Sequence, residues 1–148
     1  MKTFTSDTSL LAPARATLHC LQGCIVGEIV GLLIGVILGF DPWLTITLAT
    51  ILAYVTGFAF GLSQAHRVEG IDVRAALKMI WIGELISIGV MEIAINVVDY
   101  LMGGPQASSV FAPTFWLGLF VAIPAGFLCA WPVNWWLLKI DLKKCHYA

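Results

Sequence analysis

The stretch LHCLQGCIVGEIVGLLIGVILGFDPWLTITLATILAYVTGFAFGL, residues 18–62, contains two acidic residues, Glu28 and Asp41, and no Lys or Arg. Asp41-Pro42 divides it into two apolar runs, Leu18–Phe40 and Trp43–Leu62. Each run has about 20 residues, enough to cross a ~30 Å hydrocarbon core as an α-helix. Two further runs follow, Ala76–Met102 and Phe111–Leu138. The polar segment Ser63–Arg74 precedes the third run, and Gly103-Gly104-Pro105-Gln106 opens an uncharged loop after it. The reading is all-α: one integral membrane bundle over 1–148, with transmembrane helices at about 18–40, 43–63, 75–102 and 111–138 and tails at 1–16 and 139–148. A β-barrel would show shorter, alternating segments.

Composition agrees with this reading. Of the 148 residues, 59% are hydrophobic and 11% charged, with mean hydropathy +0.92. A soluble domain carries about 25% charged residues. So few charges cannot cover a water-facing surface. A soluble enzyme, a disordered segment and a free nucleic-acid binder are excluded, and the net charge of −1 offers nothing to a polyanion. The first run is too long and too rich in glycine for a cleavable signal peptide.

The eight basic residues set the orientation. Lys2 and Arg15 precede the first span; Arg67, Arg74 and Lys78 lie between the second and third; Lys139, Lys143 and Lys144 follow the fourth. All fall on one side of a four-span chain. The positive-inside rule then makes both termini cytoplasmic. Trp81, Trp131, Trp135 and Trp136 gather near the inner boundary, with Trp43 and Trp116 near the outer one.

Gly23, Gly27, Gly31, Gly35 and Gly39 recur every fourth residue on the first span. Such a stripe lets a second helix approach backbone to backbone. Its partner is expected to be the third span, the fourth span or the first span of a second copy. A chain this small leaves room for a homo-oligomer.

Three acidic residues fall well inside the spans: Glu28, Glu84 and Glu92. A carboxylate at the bilayer centre is costly and needs a proton, a partner or a cation. No span interior holds a Lys or Arg, unless a residue at a span end, such as Lys78, reaches inward. Cys20, Cys24 and Glu28 share one helical face, with His19 beside them. Glu84, Glu92 and Asn96 share another face, and Cys129 falls at a similar depth on the fourth span. Thiolate and imidazole suit Cu(I), Zn(II) and iron. The candidate metal ligands are therefore His19, Cys20, Cys24, Glu28, Glu84, Glu92 and Cys129. Cys145-His146 is a candidate loading site.

Pro124 and Pro132 are expected to kink the fourth span and free carbonyls, with Asn134 capping or bridging the break. Thr45, Thr47, Thr50 and Thr56 are expected to bond to backbone. No phosphate-binding loop, dinucleotide fingerprint, serine elbow or zinc-protease motif occurs, and no catalytic pair stands out.

The pattern His19-Cys20-x2-Gly23-Cys24-x2-Gly27-Glu28-x2-Gly31 resembles the signature of a bacterial four-helix membrane family known only as a domain of unknown function. Met91-Glu92-Ile93 with Asn96, and Pro132-Val133-Asn134, are similar to its other segments. The resemblance spans about Leu18 to Lys139 and implies fold and topology, with no activity attached. The family pattern carries an acidic residue beside the third-span Asn; this chain has Ile95 there.

Three functions fit these residues. The first is a transporter or carrier of a transition metal ion, copper ahead of zinc or iron, with Cys20, Cys24 and His19 at the mouth and the glutamates deeper. The second is a proton- or cation-coupled transporter or channel that needs the carboxylates and not the thiols. The third is a structural subunit that packs through its glycines. An enzyme is not expected. The expected partners are the lipid bilayer, a metal ion and further copies of the chain, with no nucleic acid.

Overall fold

The Asp41 side chain caps a helix, accepting from the Trp43 and Leu44 amides, while Pro42 fills the first helical position, where no N–H is needed. This local chemistry sets the first turn of the computed structural model, which describes residues 10–143, apart from the side chains of Val68 and Glu69. Four helices follow one another: α1 (Leu11–Leu38), α2 (Pro42–Glu69), α3 (Val73–Met102) and α4 (Pro113–Lys139). No strand occurs among the described residues. Each helix is long and apolar enough to cross a membrane. Large apolar side chains such as Val26, Ile37, Leu101 and Phe120 point outward, as a lipid-facing surface requires.

The helix bounds correct the expected ones. α1 begins at Leu11, ahead of Leu18, because Pro13, Ala16 and Thr17 are buried against the bundle. The tail expected over 1–16 is thus helical from Leu11. α2 runs through most of the polar segment, so the expected loop Ser63–Arg74 shrinks to a turn around Gly70 (φ 64°) and the Asp72 cap. His66 and Arg67 in the last turn of α2 suit the negative end of the helix dipole. α4 starts at Pro113 rather than Phe111 and continues as one helix through Pro124 and Pro132.

α1 packs against α2 and α4, and α3 does the same; α1 and α3 also touch across the diagonal, whereas α2 and α4 do not meet. The glycine stripe explains the closest pairing. A Cβ at Gly27 would fall on the Leu52 carbonyl, one at Gly31 on the Ala49 backbone, and one at Gly35 on the Thr45 side chain. The partner of the stripe is therefore α2 of the same chain, which corrects the expected pairing with the third span, the fourth span or a second copy of the first. Gly39 departs from the stripe: it has open space around it and ends α1 with φ 69°. The diagonal contact matters most for function. Two parallel helices, α1 and α3, present their polar residues to each other in the interior.

A polar seam between α1 and α3

At the end of the bundle that carries both termini, Thr17, Ser87, Asn134 and Lys143 are buried and joined in one network. Thr17 donates its hydroxyl to the Pro13 carbonyl (2.8 Å) and accepts from Asn134 Nδ2 (2.8 Å). That bond turns Asn134 Oδ1 toward Ser87 Oγ (2.8 Å) and Lys143 Nζ (3.0 Å). Lys143 Nζ also reaches Ser87 Oγ at 3.2 Å and Glu84 Oε1 at 3.3 Å. Glu84 thus has an internal counter-charge. It comes from Lys143, beyond the end of α4, and not from Lys78, which is exposed. Asn134 does not bridge a proline break; it ties α1, α3 and the segment after α4 together.

The thiols border this network. Ser87 Oγ lies 3.6 Å from Cys20 Sγ, and Cys24, one helical turn on, is buried on the same side of α1. The His19 ring packs at a tilt of 33° against Phe60, with ring centroids 4.5 Å apart. Cys129 is exposed on the outer face of α4. It precedes Ala130, which faces the core, and one residue along a helix turns the side chain about 100°. Depth alone therefore misplaces Cys129, and it takes no part in a site with the other thiols. Cys145 and His146 lie outside the described residues. Among the described residues no group of three or more His, Cys, Asp and Glu is gathered so as to hold a metal ion.

Deeper in the bundle, Glu28 and Glu92 are 1% and 2% exposed, and their carboxyl groups lie within hydrogen-bonding reach of each other. None of their carboxyl oxygens accepts a well-formed hydrogen bond among the described residues, and the nearest donor is the Asn96 amide beside Glu92. Two like charges at this range in a low-dielectric interior repel strongly, so the pair needs a proton or a cation between its oxygens. Asn96 Nδ2, one turn on, bonds to the Glu92 carbonyl (2.8 Å) and to Thr50 Oγ1 (3.0 Å). Thr47 and Thr56 bond to backbone as expected, whereas Thr50 serves Asn96 and Thr45 Oγ1 has no partner among the described residues. A cleft of about 360 Å³ between α2 and α3, lined by Thr50, Tyr54, Glu92 and Asn96 among others, opens this depth sideways.

Asp99 is a site residue that the sequence reading missed. It is 1% exposed and lies beyond Glu92 on α3, packed against Gly104 and Gly118. A Cβ at either glycine would fall on its carboxyl group. Its Oδ1 has no donor among the described residues. Asp99 lies only four residues before Gly103, near the end of the third span, and the count of interior carboxyls passed over it. The two glycines that make room for it were the available signal. Glu84, Glu92 and Asp99 thus run along α3 for 15 residues, ~22 Å of helix rise.

A four-helix bundle with outward apolar faces and a buried acidic seam has the architecture of a multi-pass membrane protein. Residues 12–143 match the family described as a domain of unknown function (DUF4396), and the chain belongs to it. No curated protein and no solved structure matches the chain.

Proposed function

We propose that this chain moves protons or small cations across the membrane along the α1–α3 seam, with the termini-bearing end on the cytoplasmic side of a bacterial inner membrane. The observation that carries this reading is the Glu28–Glu92 pair: two buried carboxyls, side by side, with no well-formed hydrogen bond to their oxygens and no ion pair to either among the described residues. A permanently empty pair of this kind costs stability, and a transported cation or proton offsets that cost. Glu84 and Asp99 extend the series toward the two ends. The one-sided placement of Lys and Arg supports the orientation. The test is proton and cation flux into liposomes containing the purified protein. Glu28→Gln and Glu92→Gln should each stop flux, and Cys20→Ser/Cys24→Ser should leave it running. Undiminished flux in both glutamine variants would refute the reading.

A second reading, a carrier of a transition metal with copper favoured over zinc or iron, draws on the adjacent Cys20 and Cys24 thiols. Paired thiolates are the ligands Cu(I) prefers. His19, Glu28, Glu84 and Glu92 would then act as additional ligands or charge compensation. Elemental analysis of the purified protein beside Cys20→Ser/Cys24→Ser decides it: metal in the parent that is lost in the double variant supports this reading, and an empty parent that takes up no added Cu(I) or Zn(II) removes it.

A further inference from the structure

The contacts of Lys143 describe a receptor as well as an ion pair. An alkylammonium has three N–H donors and no acceptor. Around Lys143 Nζ stand three acceptors, Asn134 Oδ1 at 3.0 Å, Ser87 Oγ at 3.2 Å and Glu84 Oε1 at 3.3 Å, one for each donor. The acceptors are oriented before the ammonium arrives. Thr17 gives its proton to the Pro13 carbonyl and so can only accept from Asn134 Nδ2, which fixes the amide with Oδ1 facing inward. Ser87 gives its proton to that Oδ1 and so presents a lone pair to the ammonium. These three acceptors come from α3 and α4, with α1 holding the amide in place.

The occupant, by contrast, arrives on a short strap. Ile140–Lys143 follows α4, turns at Asp141 (φ 60°) and is held by Leu142 and Lys143 amides donating to the Leu137 carbonyl at 3.1 and 3.3 Å. It crosses α3 where Gly83 leaves room: a Cβ there would meet the Leu142 carbonyl. Asp141 holds a left-handed conformation, which Asp adopts more readily than most residues with a side chain. The receptor is thus built into the helices, and the ligand is carried by a four-residue segment outside them.

We propose that the termini-bearing end of the bundle holds a binding site for a primary ammonium group, that Lys143 is its tethered occupant, and that free alkylammonium ions take the site when the lysine leaves. The tether holds the lysine at an effective concentration on the order of millimolar or higher, so a free amine competes only when supplied above that range. The proposal stands whether or not the deeper carboxylates carry protons, because binding is read without transport.

The experiment uses the full chain in detergent with Lys143→Ala, which removes a propylammonium-sized portion of the side chain. The substitution should lower the unfolding temperature. Propylammonium should restore at least half of that loss with a saturating dose response. Tetramethylammonium, which has the charge and no N–H, should not, and neither should 1-propanol, which lacks the charge. Adding Glu84→Gln to Lys143→Ala should abolish the response. No restoration, equal restoration by tetramethylammonium, or restoration that survives Glu84→Gln would each overturn the proposal. Should Lys143→Ala fail to fold alone, it is purified with either amine present: recovery with propylammonium only supports the site, and recovery with neither overturns it.

Discussion

Glu28 on α1 and Glu92 on α3 meet across the diagonal of the bundle, carboxyl to carboxyl, with no well-formed hydrogen bond to their oxygens among the described residues and only the Asn96 amide close by. A buried acceptor without a donor costs about 1–3 kcal/mol. Glu92→Gln keeps the shape and supplies an amide that donates to Glu28. The folded protein should therefore gain about 1 kcal/mol or more of stability, while proton or cation flux falls at least tenfold. Thermal unfolding and liposome flux measured on one preparation check both halves. A variant that is more stable and still active would remove the pair from any transport route.

The same substitution at two glycines separates packing from backbone strain. Gly31 meets the Ala49 backbone of α2, whereas Gly39 has open space and φ 69°. Gly39→Leu should cost about 1–2 kcal/mol, the usual strain of a left-handed residue with a side chain. Gly31→Leu must push α1 off α2 and should cost about 3 kcal/mol or more, the upper end for overpacking. Unfolding of both variants in mixed detergent ranks them; equal costs would mean that the stripe does not seat α2.

How much of this was legible in the sequence follows from the physics of each feature. Span number and type were, since apolar runs this long have one solution in a bilayer. The start of α1 was not, because Arg15 in a helix looks like a tail when burial of Ala16 and Thr17 is unknown. Glu28 and Glu92 were legible as costly interior carboxyls, but their facing each other required the diagonal contact of α1 and α3, which periodicity does not specify. Asn134 was read as a local answer to Pro132, and its actual partners, Thr17, Ser87 and Lys143, are distant in sequence or past the helix end. Lys143 folding inward left no mark, because a basic residue after the last span ordinarily stays at the surface.

Cys129 illustrates the difference between depth and direction, and it can be checked directly. It is exposed on the outer face of α4, away from Cys20 and Cys24. Cys129→Ser should change stability by no more than about 0.5 kcal/mol and leave flux and any metal content unaltered. Cys20→Ser should be felt more, since Cys20 is 5% exposed and touches Ser87. A membrane-permeant maleimide should label Cys129 well before Cys24, which is fully buried. Faster labelling of Cys24, read by mass spectrometry, would contradict the packing described here.

Asp99 tests whether the seam continues past Glu92. If cations or protons pass the whole bundle, the last interior carboxyl before the α3–α4 loop should control exchange with that side. Asp99→Asn retains the shape and should reduce flux at least tenfold without loss of fold. Gly118→Ala approaches the same carboxyl from α4, since its Cβ would fall on Asp99 Oδ1. Displacing a buried group in this way costs about 1–3 kcal/mol. The side chain must then move, so Gly118→Ala should lower both stability and flux, whereas Asp99→Asn lowers flux alone. Making both changes in one chain separates the roles: flux already lost in Asp99→Asn should fall no further, while the stability cost of Gly118→Ala should persist. Full flux in Asp99→Asn would end the route at the Glu28–Glu92 pair and leave Asp99 as a packing feature of the loop.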